Sequence, residues 1–468
     1  MNILFLMSDE LSSWGLGCYG GIPKTPNLDA LARRGVRFRS AYTPSPVCVS
    51  ARAAIATGRH VNEIGCWSSA EAYDGTVPSW GHKLQAAGWD VASIGKLHYR
   101  SQDDATGFDE QILPIHIPNG VGWLPGLLRK PVCEFKGAAE LAQTIGPGNS
   151  EYLRFDRAVT KEAERWLAAP RRRERPWCAF VSYFSPHFPL VAPEAYYRMC
   201  DPRAFEADAE PVPDHPTLRE IAAFFCYDKP FDRAARGIAR ASYFALCSFM
   251  DEGVGRIVSA LEAAGQAEDT VIVFTSDHGE SLGYKGFWGK STMYEDAAKV
   301  PLIVAGPGLG AGEVRDDPVS LIDIAPTICQ AAGLADPASG FSGHSLLEAP
   351  APERTVISEY HDGGASVGIT MVRWNDGPDA WKYVHYAEGL PPQLFNLTRD
   401  PREARDLSRA APEMVREGRR RLWEMFDPEA VNARAHADQA RKIAALGGRE
   451  KLLALPQWTH TPAESPGA

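Results

Sequence analysis

Three features typical of membrane, secreted and nucleic-acid-binding proteins are missing from this sequence. No apolar run approaches the length that a helix needs to cross a bilayer. Residues 1–7 contain neither a basic region nor a cleavage site, so they predict a strand rather than a signal peptide. The formal net charge of −10 argues against a nucleic-acid-binding surface. We therefore expect a cytoplasmic protein with neither membrane nor nucleic-acid partners.

The cysteines also lack a pattern. All nine are scattered without C-x-x-C spacing, which indicates neither a disulfide framework nor a zinc knot. Reduced thiols suit a cytoplasmic location. The basic run 171–173 is isolated, and we interpret it as a solvated loop.

Apolar runs alternate with helical patterns through the first 350 residues. Strands are predicted at 3–7, 89–94, 177–184, 270–275 and 302–305, and helices at 27–34, 79–87, 154–168, 235–264 and 321–332. This alternation predicts a large, mostly parallel central sheet flanked by helices on both faces. Two irregular excursions, at about 103–150 and 200–232, interrupt it, and we interpret the first as a lid or pocket wall.

The pattern changes after about residue 350. Short strands at 355–358, 368–373, 381–386 and 393–396 predict a small antiparallel sheet, followed by helices between about 412 and 445. We therefore divide the chain into a catalytic α/β domain at 1–350, a small C-terminal sheet with helices at 351–445, and a tail at 446–468. The arginine-rich helices and the tail are candidates for contact with a neighbouring subunit in a homo-oligomer.

Cys48 is the candidate nucleophile. Pro46 keeps the preceding residues out of a helix, whereas the alanine-rich segment that ends at Gly58 favours one. Cys48 is therefore expected at a helix N-terminus, where the helix dipole favours an anion and lowers the pKa of a thiol. Arg52 lies one turn further on, within reach of an oxyanion held at the same end.

Charged and imidazole side chains follow several predicted strands. In open α/β sheets, ligands bind beyond the carboxyl ends of the strands, so we expect these side chains to converge. They are Asp9, Lys96, His98, His187, Asp277 and His278, joined by Lys290 after a glycine-rich loop.

This set of residues fits ester cleavage at sulfur or phosphorus. Asp9, Asp277 and His278 offer two hard oxygen ligands and one imidazole, which suit Ca²⁺, Mn²⁺ or Mg²⁺ better than Zn²⁺. The cation would activate the nucleophile derived from Cys48. Further cationic side chains would hold the developing charge, and two imidazoles are candidates for the general acid and base; these are Arg52, Lys96, Lys290, His98 and His187.

Several ordered stretches resemble the sulfatase branch of the alkaline phosphatase superfamily, most closely its choline-sulfatase and phosphonate monoester hydrolase group. The first signature resembles residues 48–58 and the second residues 88–98. Further similar stretches are Gly95-Lys96-Leu97-His98-Tyr99, Asp277-His278-Gly279-Glu280, Gly289-Lys290 through Tyr294-Glu295, Ser358-Glu359-Tyr360 and Leu394-Phe395-Asn396-Leu397 with Asp400-Pro401. The similarity extends over nearly the whole chain.

The resemblance implies an alkaline-phosphatase-like sandwich and a sulfuric ester hydrolase with one divalent cation, Ca²⁺ or Mn²⁺. It implies that Cys48 is oxidised to formylglycine by a formylglycine-generating enzyme, and that residue 48 binds the cation. It further assigns the cation to Asp9, Asp277 and His278, support of residue 48 to Arg52, and oxyanion binding or leaving-group protonation to Lys96, His98, His187 and Lys290.

Three positions depart from the pattern of the family. Ser50 replaces the proline of the C-x-P-x-R maturation motif, which leaves two alternatives for the nucleophile, formylglycine or the Cys48 thiolate. Glu10 stands where this group usually has glutamine, and is either a further metal ligand or an acceptor behind the ligands. Ser69 replaces an asparagine near the sulfate in choline sulfatases.

The substrate's alcohol group is less well defined. Trp123 matches one aromatic residue of the choline-sulfatase loop, but the second tryptophan is missing, so choline is not assigned. Trp67 and Tyr73 are alternative pocket residues. We expect Ser69 and Trp123 to contact a small sulfate or phosphonate ester. The alternatives to a sulfatase are a phosphonate monoester or phosphodiester hydrolase and a catalytically silent oxyanion-binding protein.

Overall fold

The computed structural model describes residues 1–135, 144–169, 175–225, 231–455 and 461–463. Within these ranges the strands are β1 Asn2–Asp9, β2 Val36–Phe38, β3 Ala41–Tyr42, β4 Asp90–Lys96, β5 Glu110–Ile115, β6 Gly146–Pro147, β7 Trp177–Pro186, β8 Val191–Ala192, β9 Thr270–Ser276, β10 Leu302–Ala305, β11 Glu313–Arg315, β12 Val319–Ser320, β13 Val356–Tyr360, β14 Ile369–Asp376, β15 Asp379–Tyr386 and β16 Gln393–Asn396.

The helices of the described residues are α1 Pro26–Arg34, α2 Cys48–Thr57, α3 Val61–Ile64, α4 Trp80–Ala86, α5 Glu151–Ala168, α6 Glu194–Tyr197, α7 Pro216–Phe225, α8 Arg233–Ala263, α9 Glu295–Ala298, α10 Ile324–Ala331, α11 Pro412–Met425, α12 Pro428–Ala445 and α13 Arg449–Ala454. In this part of the chain, no helix combines the length and the apolar character that crossing a bilayer requires.

The central sheet has eight strands in the order β11-β2-β10-β9-β1-β7-β4-β5. The five strands from β9 to β5 run parallel, whereas β10 is antiparallel to both of its neighbours. Side chains of β1 alternate between two hydrophobic cores, with Leu4 and Leu6 on one face and Ile3, Phe5 and Met7 on the other. Helices α5 and α8 cover the first face, and α2, α4 and α10 cover the second. The predicted mostly parallel sheet is confirmed.

Strands β13 to β16 form a separate antiparallel sheet in sequence order. Helix α11 packs against it through Leu422, which shares a hydrophobic cluster with Trp374 of β14 and Tyr383 of β15. The predicted small C-terminal sheet is confirmed, with each strand placed within a few residues of its expected position. The division of the chain at residues 350 and 445 stays a prediction.

Three expectations about irregular segments need correction. The 103–150 excursion contains β5, which pairs with β4 and forms an edge of the central sheet. The 200–232 excursion contains α7, whose apolar face packs beneath the small sheet. The helix predicted at 321–332 begins with a 3₁₀ turn at Leu321–Asp323. The basic run 171–173 lies outside the described residues, as do 456–460 and 464–468 of the tail.

Candidate active site

Helix α2 begins at Cys48, as the sequence predicts. Val47 before it is extended, at φ −146° and ψ 121°, and Gly58 ends the helix with φ +60°. Cys48 is 6% exposed, and its Sγ lies 2.9 Å from His278 Nε2 and 3.5 Å from Asp9 Oδ1. The candidate nucleophile thus touches residues from the ends of two other segments of the chain.

Four predicted metal ligands converge at this point. Ligand atoms of Asp9, Cys48, Asp277 and His278 all lie within 4.8 Å of one another, and all four side chains are buried. Asp9 ends β1, whereas Asp277 and His278 follow β9, the neighbour of β1 in the sheet. The sequence predicted that these acids and the imidazole would converge because each of them follows a predicted strand.

The tautomer of His278 suits a ligand role. Its Nδ1 donates to the carbonyl oxygen of Gly279 at 3.0 Å, so Nε2 carries the free electron pair that faces Cys48 and Asp9. Burial lowers the pKa of His278 to about 3 despite the opposing charge of Asp277, so the ring is neutral at physiological pH. Two carboxylates and one neutral imidazole are a donor set that fits a hard divalent cation.

Arg52 lies behind the candidate ligands rather than facing the substrate pocket. Its Nε donates to Asp277 Oδ2 at 2.7 Å, and a second guanidinium nitrogen donates to Lys96 O and Ser182 Oγ. Burial alone would raise the pKa of Asp277, but the positive charge of Arg52, which also donates a hydrogen bond to it, outweighs burial and helps hold this pKa below its ordinary value. Arg52 therefore keeps Asp277 ionised and fixes its orientation.

Lys96 contacts the candidate ligand Asp9. Its Nζ forms a buried ion pair with Asp9 Oδ2, and both side chains are inaccessible to solvent. Burial lowers the pKa of Lys96 well below its ordinary value, with partial compensation by Asp277. Because Lys96 also lines the pocket, one ammonium group contacts a metal ligand and faces the substrate space.

Glu10, His187 and Lys290 form a second charged group beside the cluster. Lys290 Nζ donates to His187 Nε2 at 2.9 Å, and His187 Nδ1 donates to Phe188 O. The Glu10 oxygens lie 3.3 Å from His187 Nε2 and 3.4 Å from Lys290 Nζ. Glu10 is not in the four-residue ligand group, so its position favours the acceptor interpretation over the ligand one.

Three residues of the site adopt positive φ angles that side chains rarely occupy. They are Glu10 at +64°, His98 at +57° and Ser291 at +80°. Such conformations cost free energy and persist where the surroundings hold them, which is common at functional sites. These three are among nine non-glycine residues with positive φ in the described part of the chain.

A cavity of about 110 Å³ opens in front of Cys48. The predicted site residues that line it are Cys48, Ser69, Lys96, His98, Trp123, His187 and Lys290. Ser69 Oγ donates to Asp362 Oδ2 at 2.5 Å, and Trp123 stacks on Phe225 with 12° between the ring planes. Both predicted substrate contacts therefore border the same cavity as the candidate nucleophile.

Two expectations about this region are wrong. The pKa of Cys48 is not lowered by the helix N-terminus, because burial raises it to about 12 and Asp277 adds to the effect, while Lys290 opposes it. Trp67 and Tyr73 are not among the lining residues of the described pocket, because Trp67 bonds Asp438 and Tyr73 packs on Tyr99.

Sequence reasoning missed several pocket residues, among them Tyr152, Phe188, Asp362 and Thr461. Asp362 follows β13, so the strand-end argument could have found it if it had been applied to the small sheet. Tyr152 opens α5, and Phe188 follows His187 directly. Thr461 lies in the tail, where no sequence signal marks it.

Comparisons with known proteins agree with this geometry. A family model described as "Sulfatase" matches residues 1–334, and one described as "N-sulphoglucosamine sulphohydrolase, C-terminal" matches residues 283–427. The chain belongs to the sulfatase family. This sulfatase is 31% identical to a choline-sulfatase of Rhizobium meliloti, with 99% of this chain and 94% of the relative covered.

Other proteins similar to this sulfatase are named for different activities. An arylsulfatase K of Danio rerio is 28% identical, with 93% of this chain and 85% of the relative covered. The crystal structure of a phosphonate monoester hydrolase of Agrobacterium radiobacter superposes with a TM-score of 0.71 at 25% identity, covering 93% of this chain and 96% of that one. The sulfatase fold within the alkaline phosphatase superfamily is confirmed, and the enzyme is a sulfuric ester hydrolase.

Proposed function

We propose that this sulfatase hydrolyses small sulfate esters with a nucleophile at position 48 and one divalent cation. The observation that carries the proposal is the convergence of Cys48 with Asp9, Asp277 and His278 at the floor of a pocket that two lysines line. Buried carboxylates that can hold a divalent cation, beside a nucleophile and ammonium groups, suit the transfer of a sulfuryl group, whose oxygens carry negative charge.

Asp9, Asp277, His278 and residue 48 would hold the cation, which we expect to be Ca²⁺ or Mn²⁺. When bound, it supplies positive charge that activates the nucleophile and offsets the charge of the sulfuryl oxygens. Arg52 keeps Asp277 ionised and oriented through its 2.7 Å contact. Glu10 lies beside the Lys290 ammonium, 3.4 Å from its Nζ, and is assigned an acceptor role toward Lys290 rather than a ligand role.

The nucleophile is either formylglycine or the unmodified thiolate. Without a bound cation, burial raises the pKa of the Cys48 thiol to about 12, so an unmodified thiol would depend on the cation to lose its proton. The hydrate of formylglycine has a hydroxyl that can attack sulfur. A formylglycine-generating enzyme is then a required partner, although Ser50 replaces the proline of its recognition motif.

In the first chemical step, the nucleophile forms a bond to sulfur and the sulfur–oxygen bond to the alcohol breaks. Lys96 and Lys290 face the sulfuryl oxygens as charge develops. His187 Nε2 accepts from Lys290, so the proton for the departing alkoxide comes from the Lys290 ammonium, directly or through His187. His98 is the other candidate acid. With formylglycine, the second hydroxyl of the hydrate then loses its proton to water, its oxygen forms the aldehyde double bond, the carbon–oxygen bond to sulfate breaks, and water rehydrates the aldehyde. With the thiolate, water attacks the sulfuryl sulfur, the sulfur–sulfur bond breaks, and sulfate and the thiolate are released.

The alcohol half of the pocket favours a small group with an apolar or cationic end. Aromatic rings of Trp123, Phe135 and Phe225 line it together with the Asp362 carboxylate. Such a wall attracts an organic cation. Together with the choline-sulfatase relative, this makes choline sulfate the first natural ester to test.

A phosphonate monoester or phosphodiester is the second candidate substrate class. It is supported by His278 in the ligand group and by the superposition on a phosphonate monoester hydrolase. Sulfate and phosphonate monoesters share a tetrahedral centre, so one site can accept both. We also propose a cytoplasmic location, supported by the eight described cysteines, which are all free.

Kinetics on matched esters test the proposal. The purified enzyme, loaded with Ca²⁺ or Mn²⁺, is assayed with choline sulfate, an aryl sulfate, an aryl phosphonate monoester and a bis-aryl phosphate. We expect the highest kcat/KM on a sulfate ester. Cys48→Ala should lower kcat by about a thousandfold or more while retaining the fold, whereas the control Cys18→Ala, outside the site, should retain activity.

Each outcome has a defined meaning. Unchanged turnover in Cys48→Ala would assign the nucleophile to another group. A preference for the phosphonate ester would favour the second candidate, and no turnover of any ester would favour the silent oxyanion-binding alternative. Mass spectrometry of the Cys48 peptide separates the nucleophiles, because an alkylatable thiol in fully active enzyme excludes formylglycine.

A further inference from the structure

Part of the predicted tail, residues 461–463, reaches the active-site pocket. Thr461 lines the cavity in front of Cys48, and Thr461 Oγ1 is hydrogen-bonded to His98 Nε2 at 2.9 Å. His98 lies more than 360 residues earlier in the chain, after β4. The end of the chain is therefore in direct contact with a candidate general acid.

Two further contacts hold this segment in place. The Tyr152 hydroxyl, at the start of α5, donates to the backbone oxygen of Thr461 at 2.6 Å. Ala463, only 3% exposed, packs in the large hydrophobic core beside the central sheet. Tyr152 is itself fixed, because its ring stacks on Phe184 with 3.8 Å between the centroids. Residues 461–463 are thus anchored at the Thr461 backbone and at Ala463, next to the hydroxyl that meets His98.

The His98 ring depends on this contact for its orientation. Its backbone is held at φ +57° and donates to Ile115 O at 2.8 Å. Among the described residues, His98 Nδ1 has no hydrogen-bond partner, and Nε2 is bonded to Thr461. Within the described part of the chain, the bond to Thr461 is therefore the one hydrogen bond of this buried ring.

We propose that Thr461 is a positioning residue of the active site, whose hydroxyl orients the His98 imidazole toward the substrate while the C-terminal segment forms one wall of the pocket. This inference rests on the proposed function where it gives His98 a part in the reaction. Thr461 itself touches His98 and not the reacting atoms, so its effect on turnover passes through the ring.

Two substitutions of Thr461 test this proposal, because one removes the hydroxyl without changing the side-chain volume and the other keeps the hydroxyl. Thr461→Val keeps the volume and removes the hydroxyl, whereas Thr461→Ser keeps the hydroxyl. On the best ester of the panel above, we expect Thr461→Val to lower kcat about tenfold, the loss typical of one hydrogen bond, with KM changed less than twofold. Thr461→Ser should restore at least half of the wild-type kcat.

A matched control and a second measurement separate the possible failures. Thr398→Val removes a hydroxyl that bonds Pro378 O and Ala380 N, far from the pocket, and should leave kcat unchanged. In protein labelled with ¹⁵N-histidine, the His98 ring signal is assigned through its loss in His98→Gln. We expect this signal to shift in Thr461→Val and to stay near its wild-type position in Thr461→Ser.

The outcomes are distinguishable. Equal kcat in Thr461→Val and wild type, or equal losses in the valine and serine variants, would overturn the positioning role. An unchanged His98 ring signal in Thr461→Val would overturn the contact itself, even if no ester were turned over. Absence of turnover in wild-type enzyme would refute the proposed function, whereas the ring signal would still report whether Thr461 orients His98.

Discussion

At the scale of single residues, the site is a set of buried charges that compensate one another. Asp9 is paired with Lys96, and Asp277 with Arg52. An isolated buried carboxylate would take up a proton, but the Arg52 guanidinium lowers the pKa of Asp277 and keeps it available as an anionic ligand. The pairing explains how a cluster sealed from water can still attract a divalent cation.

Substitution of Glu10 tests whether this residue is a ligand of the cation. Its oxygens lie beside His187 and Lys290, and burial raises its pKa well above its ordinary value, so neutral glutamine is a close substitute. We expect Glu10→Gln to change the affinity for Mn²⁺ less than twofold, measured by titration calorimetry. Asp9→Asn, which removes a ligand charge, should lower that affinity at least tenfold. Equal losses in the two variants would make Glu10 a ligand.

Some residue-scale properties could be predicted and others could not. The ligand identities followed from residue types at strand ends. The pKa of Cys48 did not follow, because the expected lowering assumed a helix N-terminus open to solvent. The burial of Cys48 depends on which distant segments of the chain pack over the start of α2. The local sequence does not predict that packing.

At the scale of elements, the site is the shared edge of four strands. β1, β4, β7 and β9 run parallel, so their carboxyl ends lie side by side. A buried strand is a continuous apolar run, and the first polar residue after it therefore marks the edge. That rule predicted Asp9, Lys96 and Asp277. The rule did not predict β5, because most residues of that strand are only partly buried and do not form a continuous apolar run.

Asp156 of α5 holds the end of the strand that leads to His187. Its two oxygens accept from the backbone N–H groups of Phe184 and Ser185, both at 2.8 Å, and it is 1% exposed. Asp156→Asn would replace one accepting oxygen with an NH₂ group. That group would face a backbone N–H, so two donors would meet without an acceptor. We expect a loss of about 1–3 kcal/mol in the free energy of unfolding, measured with urea.

The control for Asp156 is an exposed aspartate that caps a helix. Asp232 accepts from Ala235 N at the start of α8, and asparagine caps helices equally well. Asp232→Asn should change the free energy of unfolding by less than about 0.5 kcal/mol. A similarly small change in Asp156→Asn would show that the strand end is held by its other contacts.

At the scale of the whole molecule, the small sheet is joined to the catalytic part through buried charges. Lys382 of β15 pairs with Glu295 at 2.7 Å and Glu403 at 2.8 Å, and it donates to Met293 O. Asp362, after β13, also reaches the pocket. The sequence predicted both sheets but not their contact, since long-range packing between two correctly predicted units has no local signal.

Lys382→Met tests the strength of this junction. The substitution leaves two buried carboxylates without their shared cation, which typically costs about 3–5 kcal/mol of folding free energy. Lys130→Met removes one partner of an exposed ion pair with Glu388 and should cost less than about 1 kcal/mol. Urea unfolding measures both, and equal costs would mean that Glu295 and Glu403 find other partners or protons.

Cation binding should stabilise the whole fold, because the four ligands come from β1, from α2 and from the loop after β9. An unfolded chain cannot bring them together, so at a hundredfold excess over its Kd the cation adds about 2.7 kcal/mol to the stability. We expect Ca²⁺ or Mn²⁺ to raise the Tm of chelator-treated protein by several degrees. Asp277→Asn should abolish the shift, and Asp214→Asn, at an 87% exposed side chain, should retain it. If Asp277→Asn responded as strongly as wild type, the cation would bind elsewhere and the assignment of its ligands would fail.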